Sequence, residues 1–173
     1  MKKIILVAVT LFALNFANGQ AKEGQVSKGK WLIEVNTGFG EHVGSTSLSL
    51  TSSNGVTAYN IGAEGGYFIK NNLALKLGLG YGDSGIKGEE TPIAYKIGAK
   101  YYFKSMIPIE LSYNGVGIGD KDANPTYLGL QAGYALFLGK NVSIEPGIRY
   151  NVATHKQYYD NNFQFNIGFA LHF

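Results

Sequence analysis

Residues 162–173 read NFQFNIGFALHF, a segment in which apolar and polar side chains alternate without interruption. The apolar set comprises Phe163, Phe165, Ile167, Phe169, Leu171 and Phe173, and the other set is polar or small. Because successive side chains of a strand point to opposite faces, the pattern predicts a strand with one apolar face and one polar face. A tilted strand of about 9–11 residues crosses a bilayer, so this segment is long enough to do so.

The same period-two alternation recurs upstream and gives eight predicted strands for the whole chain. They cover residues 31–40, 56–69, 73–81, 93–103, 109–114, 127–138, 142–150 and 162–173. Their connections alternate between long (41–55, 83–92, 115–125, 151–161) and short (70–72, 104–106, 139–141). Leu48 and Leu50 leave open an extension of a strand into the first long connection. This alternation, with an even strand count, is typical of up-and-down barrels that span outer membranes.

The N-terminal residues 1–19 have the composition of a cleaved export signal. Lys2 and Lys3 form a basic start, residues 4–14 are apolar, and residues 17–19 supply mostly small side chains for cleavage. Residues 20–29 are polar and predict a flexible lead-in, which leaves 30–173 as a single barrel domain. No later segment is apolar for the roughly 20 residues that a transmembrane helix needs, so any membrane span must be built from strands.

Composition excludes several classes of protein. The chain has no cysteine, which excludes a lipid-anchored lipoprotein and a disulfide framework. Without Lys2 and Lys3 it carries 13 basic and 12 acidic residues, and no basic patch is evident along the sequence, which argues against nucleic acid as a partner.

Alternation alone fits both a soluble lipocalin-like barrel with its apolar face inside and a membrane barrel with that face outside. The polar face favours the second, because it is rich in glycine, which a narrow eight-stranded interior needs. Aromatic residues also gather near the strand ends on the apolar face, as they do at lipid interfaces. The predicted girdles contain Trp31, Tyr67, Tyr101 and Phe103 near the short turns, and Tyr81, Tyr95, Tyr113 and Tyr150 near the long connections.

Pro146 departs from ideal strand chemistry. It lies in the middle of a predicted strand, on the apolar face. Because proline has no backbone N–H, we expect one ladder hydrogen bond to be lost there and a local bulge to compensate.

The polar face also carries eight charged residues, four of each sign: Glu34, Glu64, Lys76, Lys96, Lys100, Glu110, Glu145 and Arg149. A balanced set inside a narrow barrel predicts neutralising ion pairs that form a polar plug, and a gated ion path is the alternative. A three-residue turn at 104–106 places Lys100 directly opposite Glu110. The same reasoning places Glu64 diagonal to Lys76, and Arg149 opposite Gln131.

Catalytic and metal-binding patterns are weak in this sequence. His42 and His155 lie in or near long connections, and neither is followed by a serine at a spacing that would place a Ser–His pair on one strand face. His172 lies on the polar, inward-facing side of the last predicted strand, at the end of the barrel where the short turns are expected. No phosphate-binding loop or metal-ligand spacing stands out. We therefore predict a protein that is not an enzyme and that uses no cofactor or metal.

The segments GYFIKNNLAL (66–75) and GLGY (78–81) form a strand–turn–strand unit, and the last strand ends in NIGFALHF. Together with the export signal and the eight alternating strands, they give the whole mature chain a resemblance to a known family. It resembles the small eight-stranded outer-membrane β-barrel proteins of the OmpX and OmpA-barrel type, which share an outer membrane protein β-barrel domain. The resemblance implies an eight-stranded antiparallel up-and-down transmembrane β-barrel.

The resemblance also implies a location and partners. It implies export to the Gram-negative cell outer membrane and insertion by the barrel-insertion machinery, with Phe173 as the recognised terminal aromatic. Outer-membrane lipid and lipopolysaccharide are the expected partners of a monomeric, non-enzymatic barrel with a structural or surface-interacting role. A narrow porin-like channel or a path for small hydrophobic molecules is the alternative, and a lipid-A-modifying enzyme is a third hypothesis. The peptidoglycan-binding domain of OmpA-like proteins is missing, so a tether to the cell wall is not expected.

Overall fold

The computed structural model describes residues 24–39, 48–53, 56–83, 85–86, 91–117 and 124–173. The predicted signal (1–19), the start of the lead-in, His42 and parts of the first three long connections lie outside these residues. The described residues form ten strand segments: β1 (Trp31–Phe39), β2 (Ser49–Ser53), β3 (Val56–Lys70), β4 (Leu73–Asp83), β5 (Ile93–Phe103), β6 (Ile107–Gly117), β7 (Thr126–Gly133), β8 (Leu136–Phe137), β9 (Val142–Ala153) and β10 (Asn162–His172). They contain no helix that is long and apolar enough to cross a membrane.

The segments make one antiparallel sheet in which neighbours in sequence are neighbours in space. The sheet closes through β1, which pairs with β10 on one side and with β3 on the other. When β1 with β2, and β7 with β8, are each counted as one barrel strand, the described residues make eight strands. The predicted eight-stranded antiparallel up-and-down barrel is therefore confirmed. The three short turns lie at one end of the barrel, called the short-turn end below, and the strand ends that the long connections join lie at the other.

The first barrel strand forks near Asn36. Pairing of β1 with β3 runs as far as Glu34 opposite Glu64, and the N–H of Leu48 then donates to the carbonyl of Asn36 at 3.1 Å. From there β2 continues beside β3, with Leu50 opposite Tyr59, while residues 37–39 of β1 stay paired with β10. The extension of strand structure to Leu50 that the sequence left open is thus confirmed.

Pro146 of β9 interrupts the sixth barrel strand. Its carbonyl accepts the N–H of Tyr134 at 3.0 Å, but proline has no N–H to return the bond, and the strand breaks at residues 134–135. The flanking pairs are Gly133 with Gly147 and Leu136 with Ile144. Because these pairs share one register, no extra residue enters the strand there. The predicted ladder defect is present, but the predicted bulge is wrong.

The apolar faces of the strands point outward and the polar faces point inward. On β4, Leu77 and Leu79 are 65% and 69% exposed, whereas Lys76 between neighbouring leucines is only 2% exposed. The same alternation of exposed and buried residues runs along β5, β6 and β10. A soluble barrel with its apolar residues inside is therefore excluded as the fold of this chain.

Residues 24–30 fold across the short-turn end and are called the N-terminal strap. The N–H of Asn72 donates to the carbonyl of Val26 at 2.7 Å, and the side-chain amide of Gln25 donates to the carbonyl of Gly139. Gly29, at φ 90°, adopts a backbone conformation that favours glycine and turns the strap into β1. The flexible lead-in predicted for 20–29 is therefore wrong for residues 24–29, because Val26 is buried and the backbone is hydrogen-bonded to the turns.

Apolar side chains fill the lumen beneath the strap. The cluster comprises Val26, Leu32, Phe68, Ala74, Tyr102, Ala135, Phe137 and Ala170. His172 lies among the rings, with its ring centroid 5.3 Å from that of Phe137 and 6.3 Å from that of Phe68. This packing closes the short-turn end and separates it from the charged residues deeper in the lumen.

Candidate functional site in the barrel lumen

The eight charged residues predicted for the lumen all point inward, and each is at most 8% exposed. They lie on β1, β3, β4, β5, β6 and β9, so side chains from opposite walls meet near the barrel axis. Salt bridges with N···O distances of 2.6 to 3.2 Å join them into one group, called the lumen network below. The four carboxylates and four cations balance, which is how buried charges are tolerated in a dry interior.

Lys76 is the centre of the lumen network. Its ammonium nitrogen lies 2.8 Å from Glu34 Oε2, 2.6 Å from Glu64 Oε2 and 2.7 Å from Glu110 Oε2. The diagonal placement of Glu64 relative to Lys76 that the short turn predicts is confirmed by the β3–β4 register. One lysine thus joins β4 to three other strands.

The same three carboxylates could by their spacing hold a metal ion. Oxygens of Glu34, Glu64 and Glu110 lie within 4.8 Å of one another. The ammonium of Lys76 contacts all three and supplies the positive charge that a metal would otherwise bring. The cluster is therefore best described as an ammonium site built by the chain itself.

Lys100 crosses the lumen. It lies opposite Glu110 in the β5–β6 register, as the turn length predicts. Its ammonium nitrogen, however, lies 2.6 Å from Glu34 Oε2 and 2.6 Å from Glu145 Oε2, on β1 and β9. The expected contact with Glu110 gives way to contacts with more distant strands, because a long side chain at the centre of a narrow barrel reaches several walls.

Lys96 and Arg149 extend the lumen network. Lys96 Nζ lies 2.8 Å from Glu64 Oε1 and 2.8 Å from Glu110 Oε1. Arg149 lies opposite Gln131, as predicted, and its Nη1 is 3.2 Å from Glu110 Oε1. Glu110 therefore has contacts with three cations on three strands, including the one from Lys76.

Neutral side chains also hold the guanidinium of Arg149. Its Nε donates to Asn151 Oδ1 at 2.8 Å, and its Nη2 donates to Ser112 Oγ at 2.7 Å and to Asn114 Oδ1 at 2.8 Å. Gly129 lies against the same Nη2, and a Cβ at that position would overlap it. The glycine thus makes room for the planar donor group.

A serine, a histidine and a glutamate meet between the lumen network and the apolar cluster, a combination that the sequence patterns did not reveal. Ser143 Oγ lies 2.8 Å from Glu145 Oε1 and 2.9 Å from His172 Nε2. In a catalytic triad the acid instead binds the second ring nitrogen, and the serine remains open to substrate. Ser143 and His172 are 0% exposed, which denies a substrate access. Tyr102 donates to the same Glu145 oxygen at 3.0 Å, so the group anchors that carboxylate.

His155 lies at the opposite end of the barrel from His172. Its Nδ1 is 3.2 Å from Thr126 Oγ1 and 3.3 Å from Thr154 Oγ1, within the last long connection. The structure therefore keeps these two histidines at opposite ends of the barrel.

The predicted girdle residues all lie on the outer surface, each with 37–55% of its surface exposed. Trp31 and Tyr67 pair across β1 and β3, with ring centroids 5.0 Å apart, near the short turns. Tyr95 and Tyr113 are diagonal neighbours on β5 and β6, toward the long connections, with ring centroids 6.4 Å apart. Phe173 lies beside Trp31, to whose carbonyl its N–H donates at 3.0 Å. Aromatic rings thus lie on the outer surface at two levels of the barrel.

Comparisons with known proteins are informative for the fold. No protein-family model and no curated protein matches the chain. Among solved structures it is similar to the N-terminal β-barrel domain of Pseudomonas aeruginosa OprF (15% identity, TM-score 0.52, 84% of this chain and 98% of that one). The Yersinia pestis outer membrane protein Ail (11%, TM-score 0.49, 84% and 100%) and Neisserial surface protein A (17%, TM-score 0.44, 83% and 97%) are also similar. The chain has the fold of the small eight-stranded outer-membrane β-barrels.

Proposed function

We propose that the protein is a non-enzymatic integral protein of the outer membrane whose barrel is plugged by its own side chains. The outward apolar face supports the membrane location, since Leu77, Leu79 and Leu111 are 61–69% exposed. Apolar exposure on this scale around a barrel suits acyl chains better than water. The two levels of aromatic rings suit the two membrane interfaces.

The lumen network is the main observation in support of a closed, plugged lumen. Lys76 and Lys100 reach from β4 and β5 to four other strands, so their ammonium groups lie across the lumen instead of lining it. An ion that passes must separate at least one buried pair, which is unfavourable because each group then loses its partner away from water. The apolar cluster and the strap form a second barrier at the short-turn end.

Planar-bilayer recording of the refolded chain in molar KCl tests this proposal. We expect no conductance steps above the protein-free baseline. Protection of the barrel from added protease in the same preparation verifies that the chain has inserted. Reproducible conductance steps from inserted protein would refute the plug and favour the narrow channel.

A lateral path for small hydrophobic molecules is the second candidate, and the forked first strand is the observation that favours it. A groove of about 510 Å³ lies beside the fork, lined by Leu48, Leu50, Tyr59, Asn60 and Ile61. Uptake of a small apolar dye by proteoliposomes tests it, with Leu50→Trp as the variant that fills the groove. Faster uptake by the parent than by this variant would support the path, and equal uptake would refute it.

The long connections and the terminal aromatic residue suggest further roles at the cell surface and in assembly. We propose that the long connections contact lipopolysaccharide or external partners, and that a monomeric barrel is assembled by the insertion machinery through Phe173. Replacing Phe173 by serine is then expected to lower the amount of barrel assembled in cells. Mass spectrometry of lipid A with and without the gene tests the enzymatic alternative, and we expect identical spectra.

A further inference from the structure

Five lysines surround the short-turn end of the barrel. Lys28 and Lys30 belong to the strap, and Lys70, Lys104 and Lys140 occupy one short turn each. Lys30 is half-buried and the other four are exposed. The strap and the three turns (24–30, 70–72, 104–106 and 139–141) contain no aspartate or glutamate. We call the five residues the basic collar.

Hydrogen bonds between the strap and the turns hold the basic collar together. The carbonyl of Val26 accepts the N–H of Asn72 at 2.7 Å, and the side-chain amide of Gln25 donates to the carbonyl of Gly139. The second turn (104–106) joins the first through Ser105 Oγ, which donates to Asn72 Oδ1 at 2.9 Å. The lysines are therefore carried on a connected rim and not on independent loops.

The sequence of the long connections has the opposite balance of charge. Seven acidic residues lie in or beside the long connections: Glu41, Asp83, Glu89, Glu90, Asp120, Asp122 and Asp160. Only three lysines accompany them: Lys87, Lys121 and Lys156. The expectation that the chain has no basic patch is therefore wrong at the short-turn end, because folding brings together lysines that are far apart in the sequence.

The basic collar adjoins the aromatic girdle near the short turns. Lys30 directly precedes Trp31, and Lys104 Nζ lies 5.7 Å from the ring centroid of Phe103. Both aromatic residues belong to the girdle near the short turns, and such rings mark the membrane–water interface. Lysine side chains beside an interface extend their ammonium groups to the headgroup phosphates.

We propose that the basic collar binds the phosphate groups of anionic phospholipids in the leaflet at the short-turn end. The inference rests on the proposed membrane location and adds a lipid class to it. Two observations support it: the positive lysines complement the negative lipid phosphates, and the basic collar is continuous with the aromatic girdle. Each lysine near an anionic surface favours binding by about fivefold, so several lysines on one rim select anionic over zwitterionic lipid.

The experiment compares two variants with equal loss of charge. Lys70→Gln, Lys104→Gln and Lys140→Gln together remove one lysine from each short turn. Lys87→Gln, Lys121→Gln and Lys156→Gln together remove the same charge from the long connections. The full chain and both variants are inserted into nanodiscs of four parts phosphatidylcholine to one part phosphatidylglycerol. After mild detergent exchange, mass spectrometry gives the ratio of the two lipids that remain bound.

We expect the ratio of phosphatidylglycerol to phosphatidylcholine retained by the parent and by the long-connection variant to be about fivefold above the bulk ratio, and the ratio retained by the short-turn variant to fall close to the bulk ratio. Equal enrichment in all three proteins, or no enrichment in the parent, overturns the inference while leaving the membrane barrel intact. Equal loss in both variants also overturns it, since net charge would then be the cause. A parent chain that fails to insert, as judged by heat-modifiable gel mobility, overturns the proposed membrane location and the lipid site with it.

Discussion

Replacing Lys100 by methionine removes a charge at the point where the lumen network crosses the barrel. Lys100 is 0% exposed, and its ammonium nitrogen lies 2.6 Å from Glu34 Oε2 and 2.6 Å from Glu145 Oε2. Methionine preserves much of the aliphatic stem but leaves the lumen with one excess carboxylate. We therefore expect Lys100→Met to lower the free energy of unfolding.

The remaining contacts of Glu34 and Glu145 determine how much of the free energy of unfolding is lost. Glu34 keeps Lys76 at 2.8 Å, and Glu145 keeps the hydroxyl donors of Ser143 and Tyr102 at 2.8 and 3.0 Å. Because these partners remain, the loss should fall near the lower end of the range for broken buried pairs, about 3 kcal/mol. Adding Glu145→Gln removes the excess charge and keeps an acceptor oxygen for both hydroxyls. The double variant should therefore lose only about 1 kcal/mol.

A second double variant separates local pairing from net charge. Lys100→Met with Glu64→Gln restores the same charge balance, but Glu64 is bonded to Lys76 and Lys96 on another side of the network. We expect this variant to lose about 3 kcal/mol or more, because the partners of Lys100 are still left without it.

Urea unfolding in lipid bilayers measures all three losses. Trp31 is the single tryptophan of the chain and lies in the girdle near the short turns, so its fluorescence reports transfer from lipid to water. Equal losses in the three variants would refute the assigned pairs. A loss below about 1 kcal/mol in Lys100→Met would refute the importance of the lumen network for stability.

Two further tests concern packing and the strap. Gly129→Ala should cost about 2 kcal/mol, because its Cβ would overlap the Arg149 guanidinium, whereas Gly65→Ala, with open space around it, should be neutral. The two urea midpoints check this, and equal midpoints would contradict it. Val26→Asp should release the strap, because an unpaired carboxylate is costly to bury, and the more exposed Ser27→Asp is its control. Limited proteolysis should cleave the Val26 variant faster, and equal rates would show that Val26 does not hold the strap.

Much of the barrel could be predicted because its determinants are local. Strand identity, strand orientation and the inward or outward direction of each side chain follow from period-two alternation. The register across a short turn follows from its length, so Lys100 opposite Glu110 could be deduced and was found. The inward placement of all eight lumen charges has the same origin.

The ion-pair partners depend on distances across the barrel and could not be read from neighbouring strands. Lys100 contacts Glu145 because both side chains reach the axis, and no local spacing encodes that. The contact between Ser143 and His172 was detectable in part, since the alternation places both residues on the inward faces of their strands near the short turns. The strap was missed because Val26 stands alone in a polar segment without periodicity, so its burial depends entirely on the barrel end that receives it.

The seam between β1 and β10 has a kinetic consequence. Leu32 lies opposite His172, so the two edges that close the cylinder are far apart in the sequence. Contacts between such distant parts form late and slowly during folding. Until they form, the growing sheet has two free edges, which invite pairing with other chains. Chaperoning of these edges before closure should therefore determine the yield of native protein more than any single ion pair does.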